Sequence, residues 1–391
     1  MTTKSFTTEQ SRVPFILEQD PQHVLIIQGE TRGNVVMLSP ALRALRQALP
    51  SAKISLMTST AGSQVAPLLP WLDDVLIDSA IEQGRTGGRL FNPGEDVDFI
   101  EQLRSHNFSL ALIFTSFSQS PLAAAHACYM AGIPYRVGFA RNTKGSILSH
   151  ALVPPADDIH QVDRNLCLLE ALGISEMNRE MELAIPENIE REANELLTSA
   201  GLKQNMPYVV LAPGSVGVVS QYDPGRFAVM AHLLASQPEL QLVIVGGPEE
   251  AKKLQPIQQL ANENLYGNIY SLVEKASLPV QAAIIRRASL TITNNSVSMH
   301  FSDSFGCPIV VLHSETDIVS QWMPRNAPTR LLRRPAICAR CNKIDCQYGI
   351  NCPDVRPEEV AIAALEMLSE QAYGQPNYEG ILRHKIETES G

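Results

Sequence analysis

TNNSVSMHFSDSFGCPIVVL, residues 293–312, reads as the end of an apolar strand, a polar turn, a short helix and a second apolar strand. SLTIT (289–293) is the first strand, Asn294 and Asn295 the turn, 296–305 the helix and 309–312 the next strand. That order belongs to a parallel sheet with crossover helices, and it puts the helix start at the sheet's carboxyl edge. Unpaired N–H groups and the positive end of the helix dipole suit this place to a phosphate. A nucleotide site is expected there. His300, about one turn into the helix, is either a donor to a phosphate or sugar oxygen or a satisfied structural histidine. Asp303 either lies beside it and orients it or faces solvent.

The same unit recurs along the chain. HVLIIQ (23–28) is an apolar strand, GETRGN a glycine-bearing turn, and Ser39 caps a helix with Pro40 at its first position, lined by Leu42, Leu45 and Leu49. KISLMT (53–58), DVLI (74–77) and SLALIF (109–114) are further strands. The second half restarts at PYVVLAPGS (207–215). There Asp223-Pro224 caps a helix with Phe227, Met230, Ala231 and Leu234 at i, i+3, i+4 and i+7, and LVIVGG (242–247) is the next strand. A polar segment at 186–206, with a helix over 190–200, separates the halves. The expected domains are 1–190 and 191–370, followed by a tail or returning helix over 371–391. Residues 82–98 read as a surface loop.

At 391 residues the chain is too long for one ordinary core. Hydrophobic residues at 45% and charged residues at 18% describe a globular protein, and a net charge of −10 disfavours general affinity for nucleic acid. No apolar run is long enough to span a membrane, and the opening stretch lacks the apolar segment of a secretory leader, so a cytoplasmic location is expected. Of seven cysteines, Cys338, Cys341, Cys346 and Cys352 crowd into C-x2-C-x4-C-x5-C. This spacing suits zinc or an iron–sulfur centre of structural type, and paired or free thiols in a surface loop would give the same pattern.

GETRGN lacks the G-x-G-x-x-G spacing of a dinucleotide fingerprint, which disfavours a nicotinamide-dependent oxidoreductase. Gly29 and Gly33 admit a ligand close to the backbone, with Glu30, Arg32 and Asn34 as polar groups at the carboxyl edge; a plain tight turn is the competing reading. Gly214 and Ser215 in APGS are candidate phosphate or ribose contacts in the second half.

VLIIQGETRGNVVMLSPALRALRQALPSAKISLMT resembles the opening of glycosyltransferase family 9, the ADP-heptose:lipopolysaccharide heptosyltransferases, with its strand, G-x-x-G-D turn and P-A-L-R-A-L helix. APGS followed by QYDPGRFA, LVIVGGPEE and NNSVSMHFSDSFGCPIVVL resemble its P-G-[AS], K-x-W-P-x-x-R-F-A, G-G-x-x-E and D-S-G-P-M-H-L-A-A-A-L-G-x-P segments. The resemblance runs from about Val24 to Leu368.

It implies an α/β, GT-B fold: two Rossmann-like domains whose parallel sheets face a central cleft. It also implies inverting transfer from a nucleotide-diphospho-sugar on the second domain to a glycan or lipid-linked acceptor on the first, without cofactor or catalytic metal. Transient contact with the inner membrane face follows from a lipid-linked acceptor. Nucleotide-sugar contacts are implied at Gly214, Ser215, Ser220, Gln221, Glu250, Asn295, Ser296, Met299 and His300. The family's basic aspartate falls at Asn34, its lysine near Ser220, its tryptophan at Tyr222, and its signature aspartate and glycine at Asn295 and Val297. An amide at 34 cannot take a proton. Either Glu30 replaces it as base, with Arg32 or Arg226 meeting the leaving-group charge, or the chain is a catalytically degenerate nucleotide-sugar-binding or scaffold protein.

Overall fold

The computed structural model describes residues 15–77, 93–117, 119–141, 147–175, 177–214, 221–263, 266–314, 318–334 and 354–371. The chain divides into two compact units that meet in sequence between Met181 and Glu182. Each unit is a twisted parallel sheet with helical crossovers, as the alternating apolar strands and amphipathic segments require.

In the first unit β1 (His23–Ile27), β2 (Lys53–Thr58), β3 (Asp74–Ile77), β4 (Leu110–Ile113), β5 (Tyr135–Phe139) and β6 (His150–Leu152) lie in the order β3-β2-β1-β4-β5-β6. All neighbours are parallel. In the second unit β7 (Tyr208–Ala212), β8 (Gln241–Ile244), β9 (Ile269–Ser271), β10 (Leu290–Asn294), β11 (Ile309–Leu312) and β12 (Thr329–Leu332) lie in the order β12-β11-β10-β7-β8-β9, again all parallel. The two windings are the same. In each, the chain leaves the centre toward one edge and returns to wind toward the other, so strand order reverses between β1 and β4 and between β7 and β10. Loops on either side of such a point part at the carboxyl edge and leave room for a ligand.

The central strands are covered on both faces: Val24, Leu25 and Ile26 of β1, and Val209, Val210 and Leu211 of β7, are wholly buried. Such strands read as continuous apolar runs rather than alternating ones. Helix Pro224–Ala235 buries Phe227, Met230, Ala231 and Leu234, the face its periodicity gives, and Asp223 caps it by accepting from the Arg226 N–H. Each large side chain so buried stabilises the unit by about 1.5–3 kcal/mol relative to exposure. Helix Glu187–Ser199 packs on helix Leu278–Arg286, where Glu190 meets Arg286 at 2.7 Å and Asn194 bonds Arg287. These contacts tie the whole of it to the second unit.

Two local readings change. Ser39 is not a cap: helix Ser39–Ala48 follows Leu38, and a separate helix, Arg32–Val36, precedes it, capped by Thr31. Asn34 therefore sits inside a helical turn. Pro93, expected in a loop, begins helix Pro93–Ser105. Proline fits a first helical turn because the N–H it lacks has no partner there.

Candidate active site

At the carboxyl edge of the first sheet, β1 leads through Gln28 into the turn that carries Glu30 and Asn34. Glu30 is held from three sides. Its N–H donates to Gln28 Oε1 at 3.1 Å, its Oε2 accepts from Asn34 Nδ2 at 2.8 Å, and its Oε1 accepts from the N–H of Ser116, just beyond β4, at 2.6 Å. The carboxylate thus lies at the switch point between β1 and β4, half-buried rather than turned to solvent. Asn34 is 2% exposed, its N–H is taken by Thr31 Oγ1 at 3.2 Å, and its Oδ1 is buried without a hydrogen-bond partner. With a carboxylate against it, the amide must present nitrogen to Glu30 and turn its oxygen away. Arg32 donates through Nε to Gln64 at 3.0 Å.

The second switch point assembles Gly214, Gln221, Glu250 and Asn294. Asn294, the last residue of β10, is wholly buried; its Oδ1 accepts from the Tyr222 N–H at 3.0 Å, and its Nδ2 donates to the carbonyls of Pro213 at 2.7 Å and Gly214 at 3.3 Å. Gln221 Nε2 reaches the same Pro213 carbonyl at 3.1 Å. Glu250 folds back over its turn, accepts from the Gly247 N–H at 3.0 Å, and lies so close to Gly214 that an added Cβ there would stand 1.9 Å from Oε1. A side chain at 214 would have to displace the Glu250 carboxylate. Sequence reasoning took Asn294 for part of a turn; the usable signal was a polar residue ending an apolar strand at a switch point.

Helix Val297–Phe305 starts beside this cluster. Ser296 has extended backbone but does not cap the helix, since its hydroxyl meets Thr293 Oγ1 at 3.0 Å. Ser296 offers the first turn no side-chain cap, which suits that helix start to an anion. Gly306, with φ of 67°, ends the helix in the left-handed region that glycine tolerates. Asn295, Ser296 and His300 are grouped by this turn and helix, and the His300 side chain is buried.

Several expected side-chain roles change. Met299 packs into a core with Ile309, Val311 and Ala327, so only its backbone remains for a ligand. Tyr222 is a core staple: its hydroxyl donates to the Val355 carbonyl at 2.8 Å and its ring meets Phe227 edge-on. Arg226 pairs with Asp354 and the Val355 carbonyl, just before helix Pro357–Gln371. Ser215, Ser220, Cys338, Cys341, Cys346 and Cys352 lie outside the described residues.

Asp303 is 2% exposed and does not face solvent. Its Oδ1 accepts from the N–H groups of Arg325, Asn326 and Ala327 at 2.9, 2.7 and 2.9 Å, which fixes the approach to β12. Burial pushes its carboxyl pKa up against the opposing pull of those three donors. Asp303→Ala is expected to lower the second unit's stability by about 2–4 kcal/mol, because several backbone donors lose their acceptor at once. A urea midpoint within error of the native one would exclude this role.

Comparison with known proteins adds a family. Residues 97–350 match glycosyltransferase family 9 (heptosyltransferase). Lipopolysaccharide heptosyltransferase 3 of Escherichia coli (strain K12) is 25% identical over 294 residues, 75% of this chain and 82% of that one. Among solved structures, the glycosyl transferase family 9 protein from Veillonella parvula matches with a TM-score of 0.71 at 21% identity, covering 90% of this chain and 98% of that one. The E. coli ADP-heptose lps heptosyltransferase II matches with a TM-score of 0.70 at 18% identity, covering 90% of this chain and 100% of that one. At these identities the structural likeness is one of fold, and the fold is GT-B.

Proposed function

This chain belongs to glycosyltransferase family 9, and on that premise we propose that it moves a heptose-like sugar from a nucleotide-diphospho-sugar to a lipopolysaccharide-type or other glycan acceptor, with inversion at the anomeric carbon. The nucleotide-sugar is assigned to the second unit: its diphosphate at the start of helix Val297–Phe305, its ribose near Glu250 and Gly214. The acceptor is assigned to the first unit. Glu30 takes the proton of the acceptor hydroxyl as that oxygen bonds to the anomeric carbon. The bond from that carbon to the diphosphate breaks, and its electron pair leaves with the nucleotide. Backbone N–H groups and the helix dipole meet the departing charge without reorganising.

One observation carries this reading. The Glu30 carboxylate is oriented by the Asn34 amide and the Ser116 N–H at the switch point of the first sheet. Asn34 cannot accept a proton, but its N–H fixes the group that can. That arrangement supports turnover over the alternative of a nucleotide-sugar-binding protein with no base. Lipid-linked acceptors place the work at the cytoplasmic membrane face; no helix among the described residues is long and apolar enough to cross a membrane.

The test is a thermal-shift titration with ADP-heptose and a panel of other nucleotide-diphospho-sugars. Donor at one hundred times its Kd is expected to stabilise the second unit by about 2.7 kcal/mol. NAD is expected to have no effect. If no nucleotide-diphospho-sugar shifts the melt, the reading fails.

A further inference from the structure

Arg164 lies one turn into helix Gln161–Ala171 and is 4% exposed. Its guanidinium stands over the rings of Phe117 and Phe139, 5.0 Å from each centroid. Its Nε donates to the Thr115 carbonyl at 3.0 Å, and Gln161 Nε2 reaches the same oxygen at 3.4 Å. That carbonyl belongs to the same peptide group as the Ser116 N–H, which donates to Glu30 Oε1 at 2.6 Å. A buried cation therefore faces one end of a single amide dipole, and the Glu30 carboxylate faces the other.

The arrangement also carries a cost in stability. Arg164 Nη1, Thr115 Oγ1 and Gln161 Oε1 are buried without hydrogen-bond partners, and unanswered polar groups in an interior destabilise it. Burial depresses the Arg164 pKa, Asp157 and Glu30 pull it back up, Arg141 opposes them, and Cys167 on the same helix adds a further upward pull. Asp157 is itself clasped by Arg141, 2.6 Å from Nη2 to each oxygen. A methionine between the two rings would keep much of the packing and remove the buried charge.

The geometry points to Arg164 as a positioning residue for Glu30, acting through the Thr115–Ser116 peptide group; this rests on the reading of Glu30 as the base. The guanidinium polarises the Thr115 carbonyl, and the polarised amide makes the Ser116 N–H a stronger donor. A stronger donor to the ionised carboxylate favours that form and fixes its direction. The Glu30 carboxylate is thereby aimed at one point, as proton abstraction in the transition state requires.

The test needs no substrate. Full-length protein carrying glutamate labelled with ¹³C at the side-chain carboxyl is titrated by NMR, and the Glu30 signal is assigned by its loss in Glu30→Gln. Arg164→Met removes the charge, and Arg164→Gln removes it while keeping a donor for the Thr115 carbonyl. Each is expected to raise the pH at which Glu30 titrates by about one unit. Arg164→Lys is expected to reverse at least half of that shift, and Arg164→Met to melt at or above the native temperature. An unmoved Glu30 titration in either folded neutral variant overturns the proposal. So does failure of both to fold, since the arginine would then be structural. Native turnover in Glu30→Gln would instead overturn the base assignment and leave the titration result standing, so the two failures are distinguishable.

Discussion

Glu30→Gln is expected to slow sugar transfer by about 10²–10⁴-fold, the usual cost of removing a general base, with donor affinity and folding unchanged. Glutamine has the same shape, and its Oε1 can still accept from the Ser116 N–H. The second contact survives if the Asn34 amide turns over, because its Oδ1 is buried without a partner and can then accept from the new Nε2. Only the ability to take a proton is lost. The loss should fall on kcat, with KM for the donor steady, because the proton is shared only in the transition state. Nucleotide release at saturating donor and acceptor measures it.

Asn294→Ala is expected to act on the other unit and to lower both its stability and its affinity for donor. The substitution leaves the buried Tyr222 N–H without its acceptor and the Gly214 carbonyl without its donor, while Pro213 keeps the bond from Gln221. Stranded groups of this kind cost about 1–3 kcal/mol each, so a loss of about 2–4 kcal/mol is expected in urea unfolding. Gly214 would also lose its anchor beneath Glu250, and a shift there worth 1.4 kcal/mol is tenfold in donor Kd. Asn294→Asp is expected to fare no better, since it keeps the acceptor for Tyr222 but turns a negative oxygen toward two carbonyls. A donor Kd in Asn294→Ala within twofold of the native value would show that this asparagine does not shape the site.

How much of this was legible follows from range. Apolar runs such as HVLII, YVVLA and IVVL are local signals, and they located the central strands because a strand buried on both faces shows no alternation. His150–Leu152 and Ile269–Ser271 are three-residue edge strands, too short to carry a period. Glu30 and Gly214 stood out as residues of glycine turns and Ser296 as a helix start, whereas Glu250 was implied only by the family resemblance. Their partners gave no such signal: Ser116 is 86 residues from Glu30, and Asn294 is 72 from Tyr222, so no window of sequence contains either bond. The burial of Asp303 and the ion pair of Arg226 were hidden for a related reason. A charged side chain near a site looks functional until the backbone groups it holds, from Arg325 to Ala327 and at Val355, come beside it. Arg164 gave no signal of its own, because its meaning lies in a peptide group contributed by a strand end 49 residues away.

Glu30 is proposed to do from position 30, across one hydrogen bond, what the family resemblance assigns to an aspartate at position 34. The direct measurement is the transfer rate of the exchange Glu30→Gln with Asn34→Asp, which returns the carboxylate to 34 and leaves the amide at 30 to hold it. Glu30→Gln alone is expected to lose about 10²–10⁴-fold and the exchange to recover most of that loss. Native turnover in Glu30→Gln alone would contradict that role.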